Sequence, residues 1–463
     1  MSGPGVILAP LDAETLQSQG LLHPGSTTGT HRLHRRRVTE YGDVEYKHIP
    51  LDVPLQSPLA DEAYVTIPQT LISRQTLAHI GLSDSKATEL WHRWGNWPAD
   101  GPSPVIDGPG RAIDADDDEP LEAVFLGFVI HLTKREPDVD DESDDVQWRS
   151  YLDACGISHD VQDAIMDPHF TDIRLSNSCW YWIQDTIEMR YAGLQDIQHI
   201  SLAREMQLRK TASQSGRREG NSGGQNTTTG LSSPPMQGGQ GPAGVSVDVW
   251  GSARAIAARN APGHTVLYKG MDKARVTGLL DETGALSGSI TKLLSTPPAD
   301  FSSRWQDFYF TPSYQVAERY AIYAKRRVTC ESVVIVCFCI KNAAVDALGD
   351  AEIQRVYWPS GEWKQLIWYC QRNEALPSSL IKYRKATLVI GTISRKPSHA
   401  YHQLESWEHI SGNHVLMVGA AGQEQLAGVQ YVFSGREDGE NFLLENGLRE
   451  SIKVFPLLSR ELE

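Results

Sequence analysis

Residues 208–247 constrain this chain more than any other stretch. Gly, Ser, Gln, Asn, Thr and Pro dominate their composition, and no aromatic residue occurs among them. A segment of that kind buries too little apolar surface to offset its chain entropy, which predicts a flexible linker. The sequence on either side then folds as separate units, and 463 residues suffice for two or three domains of ordinary size. A linker this wide also implies that the flanking units share no large fixed interface.

Charge and cysteine usage narrow the function classes. The formal net charge of -15 argues against sequence-independent nucleic-acid binding, so no nucleic-acid partner is expected. The acidic runs at 114–119 and 138–145 lack the central Gly and terminal Glu of a Ca²⁺ loop and read as solvated loops, with no metal site expected. The opening residues show no basic and apolar leader, and the apolar run 123–130 stops well short of the roughly eighteen residues of a membrane span. Six cysteines include no CxxC pair, and Cys337 and Cys339 fall on one face of a strand-like run as small core residues. A reduced, intracellular compartment, cytoplasmic or nuclear, is the expectation.

Residues 1–40 read as a flexible N-terminus ending in the basic cluster 31–37. Residues 41–207 read as a mainly α-helical domain of unknown role. Helical rhythm covers 68–80, Ser83 is placed to cap a helix over 86–94, and 180–205 is a long helix candidate with Trp182, Ile183, Ile187, Tyr191 and Leu194 at three-to-four spacing. Trp91, Trp94 and Trp97 suggest an aromatic core corner. His159, His169 and His199 are scattered, and no catalytic constellation emerges there. Beyond the linker, 248–463 changes to short Val- and Ile-rich strands at 265–268, 332–340, 386–393, 414–418 and 429–433, interrupted by helices at 312–327 and 363–370. The order is not regular βαβ alternation, so the fold class is α+β.

One constellation carries possible chemistry. Tyr309 and Tyr320 lie eleven residues apart across a strand-turn-helix, with Thr311 and Pro312 placed as N-cap and first helical residue. Val316, Tyr320 and Ala324 share a helix face that returns Tyr320 towards Tyr309. Two such rings can sandwich a planar ligand, or both can be core residues with satisfied hydroxyls.

The region from about 260 to 458 resembles the ADP-ribosyltransferase superfamily of poly- and mono-ADP-ribosyl transferases and related toxins. The motifs are Tyr268-Lys269-Gly270 at a strand end, Tyr309 followed by Tyr320 on a helix, and Val429-Gln430-Tyr431-Val432-Phe433 with a closing strand at 452–457. A further likeness, to a less characterised branch, lies in the helix led by Trp363 with Arg372 trailing, followed by Ile390-Gly391-Thr392-Ile393. The resemblance implies a split β-sandwich with flanking helices. It implies NAD as substrate, with nicotinamide between Tyr309 and Tyr320, the carboxamide on the backbone of Gly270 beside Tyr268, and Lys269 in the place of a His or Arg that holds ribose or phosphate. Gln430 stands where the family places the Glu that steadies the oxocarbenium-like transition state, and Gly428 and Ala317 replace further family residues. Glu424, in the preceding loop, and Glu362, beside Trp363, are the nearby acids. The implied function is mono-ADP-ribosyl transfer from NAD to a protein acceptor, slow or atypical because of Gln430. The alternative is a non-catalytic NAD- or ADP-ribose-binding scaffold, or one for protein interaction.

Overall fold

The computed structural model describes residues 5–39, 42–96, 121–139, 143–175, 177–218 and 262–457, the last without 282, 296, 298, 329–332, 397 and 419–424. The N-terminal half begins with helix α1 (Pro10–Ser18), opened by its proline, and an antiparallel sheet of β1 (Leu22–Pro24), β2 (Thr30–His34) and β3 (Tyr64–Pro68). Helices follow: α2 (Arg74–His79), α3 (Asp84–Gly95), α4 (Leu121–Thr133), α5 (Asp145–Cys155), α6 (His159–Ile165) and α7 (Cys179–Arg218). Local chemistry starts and stops them. Ser73 and Ser83 cap α2 and α3, Asp144 and Gln147 form a capping box on α5, and Gly156 ends α5 in the left-handed region at φ 75°.

Three expectations need correction here. Residues 5–39 are not a flexible arm. Leu22 and Leu33 are cross-strand partners, and they bury with Ile7, Leu8 and Leu16 in the N-terminal core. The basic cluster is likewise tied down, Arg32 to Asp61 and Arg36 and Arg37 to Asp43. Residues 68–80 are not one helix, because β-branched Val65, Thr66 and Ile67 extend into β3 and the helix waits for the Ser73 cap. Helix α7 continues beyond the expected boundary at 207, through 208–218, while the rest of the expected linker, 219–247, lies outside the described residues together with 248–261. Among the described residues no helix is long and apolar enough to cross a membrane.

The C-terminal half contains β4 (His264–Asp272), β5 (Phe308–Phe310), α8 (Tyr314–Arg327), β6 (Val333–Lys341), β7 (Ile353–Val356), α9 (Gly361–Gln371), β8 (Leu388–Thr392), β9 (Val429–Phe433) and β10 (Lys453–Leu457). Strands β10, β6 and β4 form one antiparallel sheet. Strands β5, β9, β8 and β7 form a second, in which β7 and β8 run parallel. The α+β class holds, and a core between the sheets joins Leu267, Val336 and Phe338 to Phe310, Ile390 and Phe433. Strand β6 shows why period two was legible: Val334, Val336 and Phe338 face that core, while Val333, Ile335 and Cys337 face α8. Cys337 and the partly buried Cys339 indeed share the α8 face. The strand expected at 414–418 is only Met417–Val418. Ser313, not Thr311, caps α8, because its hydroxyl accepts from the Val316 amide.

The halves do share a fixed interface, contrary to the inference from linker width. Tyr323 of α8 is fully buried in the N-terminal core, edge-on to Trp182, and its hydroxyl donates to the Ile165 carbonyl at 3.1 Å. Arg327 pairs with Asp185 at 2.7 Å, Lys325 with Glu45 at 2.6 Å, Lys273 with Asp196 at 3.1 Å and Arg326 with Asp167 at 2.9 Å. The linker composition governs how far the chain travels between halves, not whether their apolar faces match.

Candidate functional site

Three distant sequence segments meet at Thr311. Its amide and carbonyl form a bridge with Tyr268, at 3.0 and 2.8 Å, and its hydroxyl donates to the Val429 carbonyl at 2.9 Å. Around that junction lies a cavity of about 480 Å³ lined by Tyr268, Lys269, Gly270, Tyr309, Tyr320 and Gln430 together. All six residues expected at the site therefore border one space, of the size that takes a small molecule.

Each residue arrives there for a local reason. Tyr268 gives its amide and carbonyl to Thr311, on the side away from β6. Strand alternation turns the amide and carbonyl of Gly270 to that same edge. A Cβ on Gly270 would stand 2.2 Å from the Ala317 carbonyl oxygen, so its lack of a side chain also lets β4 meet α8 closely. Lys269 projects from the other face of β4, where Nζ donates to Ser295 Oγ at 2.7 Å and lies 5.9 Å from the Phe310 ring centroid. Burial, reinforced by the Arg275 charge, pulls its pKa down to about 7.

Tyr309 is partly buried, and its hydroxyl accepts the Phe301 amide at 3.2 Å. Burial pushes that hydroxyl above its ordinary pKa. Tyr320 is partly buried against the N-terminal core and a small cluster of Val316, Ile393 and Leu416. Both tyrosines thus combine a packing role with a place on the cavity wall. Gln430, on β9 opposite Gly391, is 6 % exposed.

Behind Gln430 stands a residue that the sequence did not mark. Asp300 accepts Gln430 Nε2 at 2.7 Å, the Ser394 amide at 2.7 Å, Ser394 Oγ at 2.5 Å and Gln371 Nε2 at 3.0 Å. Burial raises its pKa against the pull of those donors. The contact also orients the Gln430 amide, leaving Oε1 as its remaining acceptor. Asp300 lies outside regular structure with no motif around it; its one sequence signal is an acid between Ala299 and Phe301.

The opposite wall comes from the N-terminal half, through Trp180, Tyr181, Asp185 and Glu188 on α7. Burial works to raise the Asp185 pKa, but the guanidinium groups of Arg275 and Arg327 hold it below the ordinary value. Glu188 and Asp272 are pushed upward by burial. The first turn of α9 directs Glu362 instead to Lys382 and Tyr383, and Glu424 and Trp97 fall outside the described residues. Of the expected aromatic core corner only Trp94 packs inward, edge-on against Phe125 and Phe128, while Trp91 on the same helix is exposed to solvent. Trp363 is fully buried and donates to the Thr392 carbonyl. Among the described residues no group of three His, Cys, Asp or Glu side chains is placed to hold a metal. The chain matches no family model, no curated protein and no solved structure.

Proposed function

We propose that the cavity binds NAD and that the protein transfers ADP-ribose from it to a protein acceptor. The observation that carries this reading is the convergence of Tyr268, Lys269, Gly270, Tyr309, Tyr320 and Gln430 on one space. The cavity chemistry fits the ligand at three places. The Gly270 strand edge offers an amide and a carbonyl to a carboxamide, Lys269 offers a cation to a pyrophosphate, and the tyrosine rings flank the remaining volume. In the reaction, the ribose–nicotinamide bond breaks with its electron pair on the departing nicotinamide, and the acceptor nucleophile bonds to the ribose carbon and loses its proton. Gln430 Oε1 can accept from a ribose hydroxyl, but an amide gives a developing positive charge less than a carboxylate does.

A second reading, binding without turnover, is favoured by Asp300. Asp300 also borders the cavity, but four donors occupy its two oxygens, so the carboxylate nearest Gln430 is engaged in holding the amide. Titration of the full chain with NAD, beside an assay of nicotinamide release, separates the readings. Transfer predicts binding and release that both fall in Lys269→Met and Tyr320→Ala. Binding with no release supports the second reading, and absence of both signals removes NAD from the site.

A further inference from the structure

A second cavity, of about 470 Å³, lies on the other side of the segment that carries Asp300 and Phe301. Its floor is apolar, with Cys370, Leu376, Val389 and Val432. Its rim is cationic, which is unexpected in a chain of net charge -15. The Arg384 guanidinium lies 5.4 Å from the ring centroid of Trp305, an indole left 56 % exposed. Arg304, the neighbour of Trp305, donates only to neutral oxygens of Asn373, at 3.2 and 3.3 Å. Arg436 reaches the Lys385 carbonyl at 3.0 Å, next to Arg384, and also pairs with Asp438 at 3.2 Å.

Among the described residues neither Arg304 nor Arg384 has a carboxylate partner. The acids on the wall are engaged elsewhere: Asp307 accepts the Gly435 amide at 2.8 Å, and Glu374 pairs with Arg372 at 2.7 Å. An exposed flat ring, an apolar floor and uncompensated planar cations together select a ligand with a flat apolar body and a negative head. We propose that this cavity binds a small aromatic anion, its ring beside Trp305 and its carboxylate or phosphate among Arg304, Arg384 and Arg436. The site is separate from the NAD reading and does not depend on it.

The test is calorimetric titration of the full chain with 2-naphthoate and, separately, with 1-naphthyl phosphate, using neutral 2-naphthamide as control. Saturable binding of at least one anion is expected, with the stronger of the two identifying the head group. Arg304→Gln and Arg384→Gln change exposed side chains, so unchanged melting verifies that both variants fold. Each is expected to weaken binding about tenfold, as is the loss of charge in the amide. Trp305→Ala should weaken it as well. No binding of either anion up to millimolar concentration, or affinity untouched by all three variants, overturns the proposal. Weakening by Lys269→Met in their place would assign the anion to the first cavity and overturn it equally.

Discussion

Lys269 is a cation with a low pKa, and the sign of its linkage is definite. Its folded-state value of about 7 lies below the ordinary 10.5, so between these limits the unfolded chain holds a proton that the folded chain has released. Its contribution to stability is therefore full above about 10.5 and is lost as pH falls through 7. Lys269→Met should flatten that part of the pH–stability profile, read by urea unfolding at pH 6 and pH 9. A pyrophosphate favours the protonated amine, so NAD affinity should rise as pH is lowered from 8 to 6, a slope absent from Lys269→Met. Gln430 yields a second prediction. A carboxylate at 430 would stand against Asp300, whose Oδ2 lies 2.7 Å from the present amide nitrogen. Two carboxylates at that distance must share a proton, so Gln430→Glu alone should cost on the order of 1–3 kcal/mol in urea unfolding. Exchanging the pair, Asp300→Asn with Gln430→Glu, should recover part of that loss, because Oδ2 also accepts the Ser394 amide and an amide nitrogen there leaves that donor unpaired, and should raise nicotinamide release. Equal stability of Gln430→Glu and the parent would show that the carboxylate contact contributes nothing.

Helix α8 is where sequence pattern and structure part company most instructively. Val316, Tyr320 and Ala324 were legible as an apolar face, yet Ala317 and Ala321 pack on β4, and Tyr323 enters the N-terminal core. A helix with small residues on one face and aromatics on another needs neighbours on both. The sequence pattern marks the apolar residues of this helix but not which neighbour each side meets, because those neighbours come from both halves of the chain. Strand β6, by contrast, could be read directly, because its alternation places apolar residues on two buried faces. Gly270→Ala tests the β4–α8 approach. The added methyl meets backbone, which yields little, so a loss of about 1–3 kcal/mol is expected in urea unfolding. A neutral outcome would mean that α8 can shift without cost.

Docking of the halves was not legible, for a physical reason. Linker composition reports the cost of ordering the linker and carries no information about the surfaces it joins. The interface rests on widely spaced residues such as Glu45, Asp185 and Asp196, each unremarkable in its own neighbourhood. Asp300 was hidden in the same way, since its meaning comes from Gln371, Ser394 and Gln430, which are far along the chain. Co-expressed fragments 1–218 and 262–463 should purify together, and the second alone should be poorly soluble because Tyr323 loses its surroundings. Independent, monomeric folding of each fragment would show that the interface is dispensable.

The cavity has a further consequence through its two owners. One wall belongs to α7 and the other to β4 and β9, so the space exists only while the halves are docked. Any molecule held there works as a latch: it lengthens the time the halves stay closed, and they cannot part without setting it free.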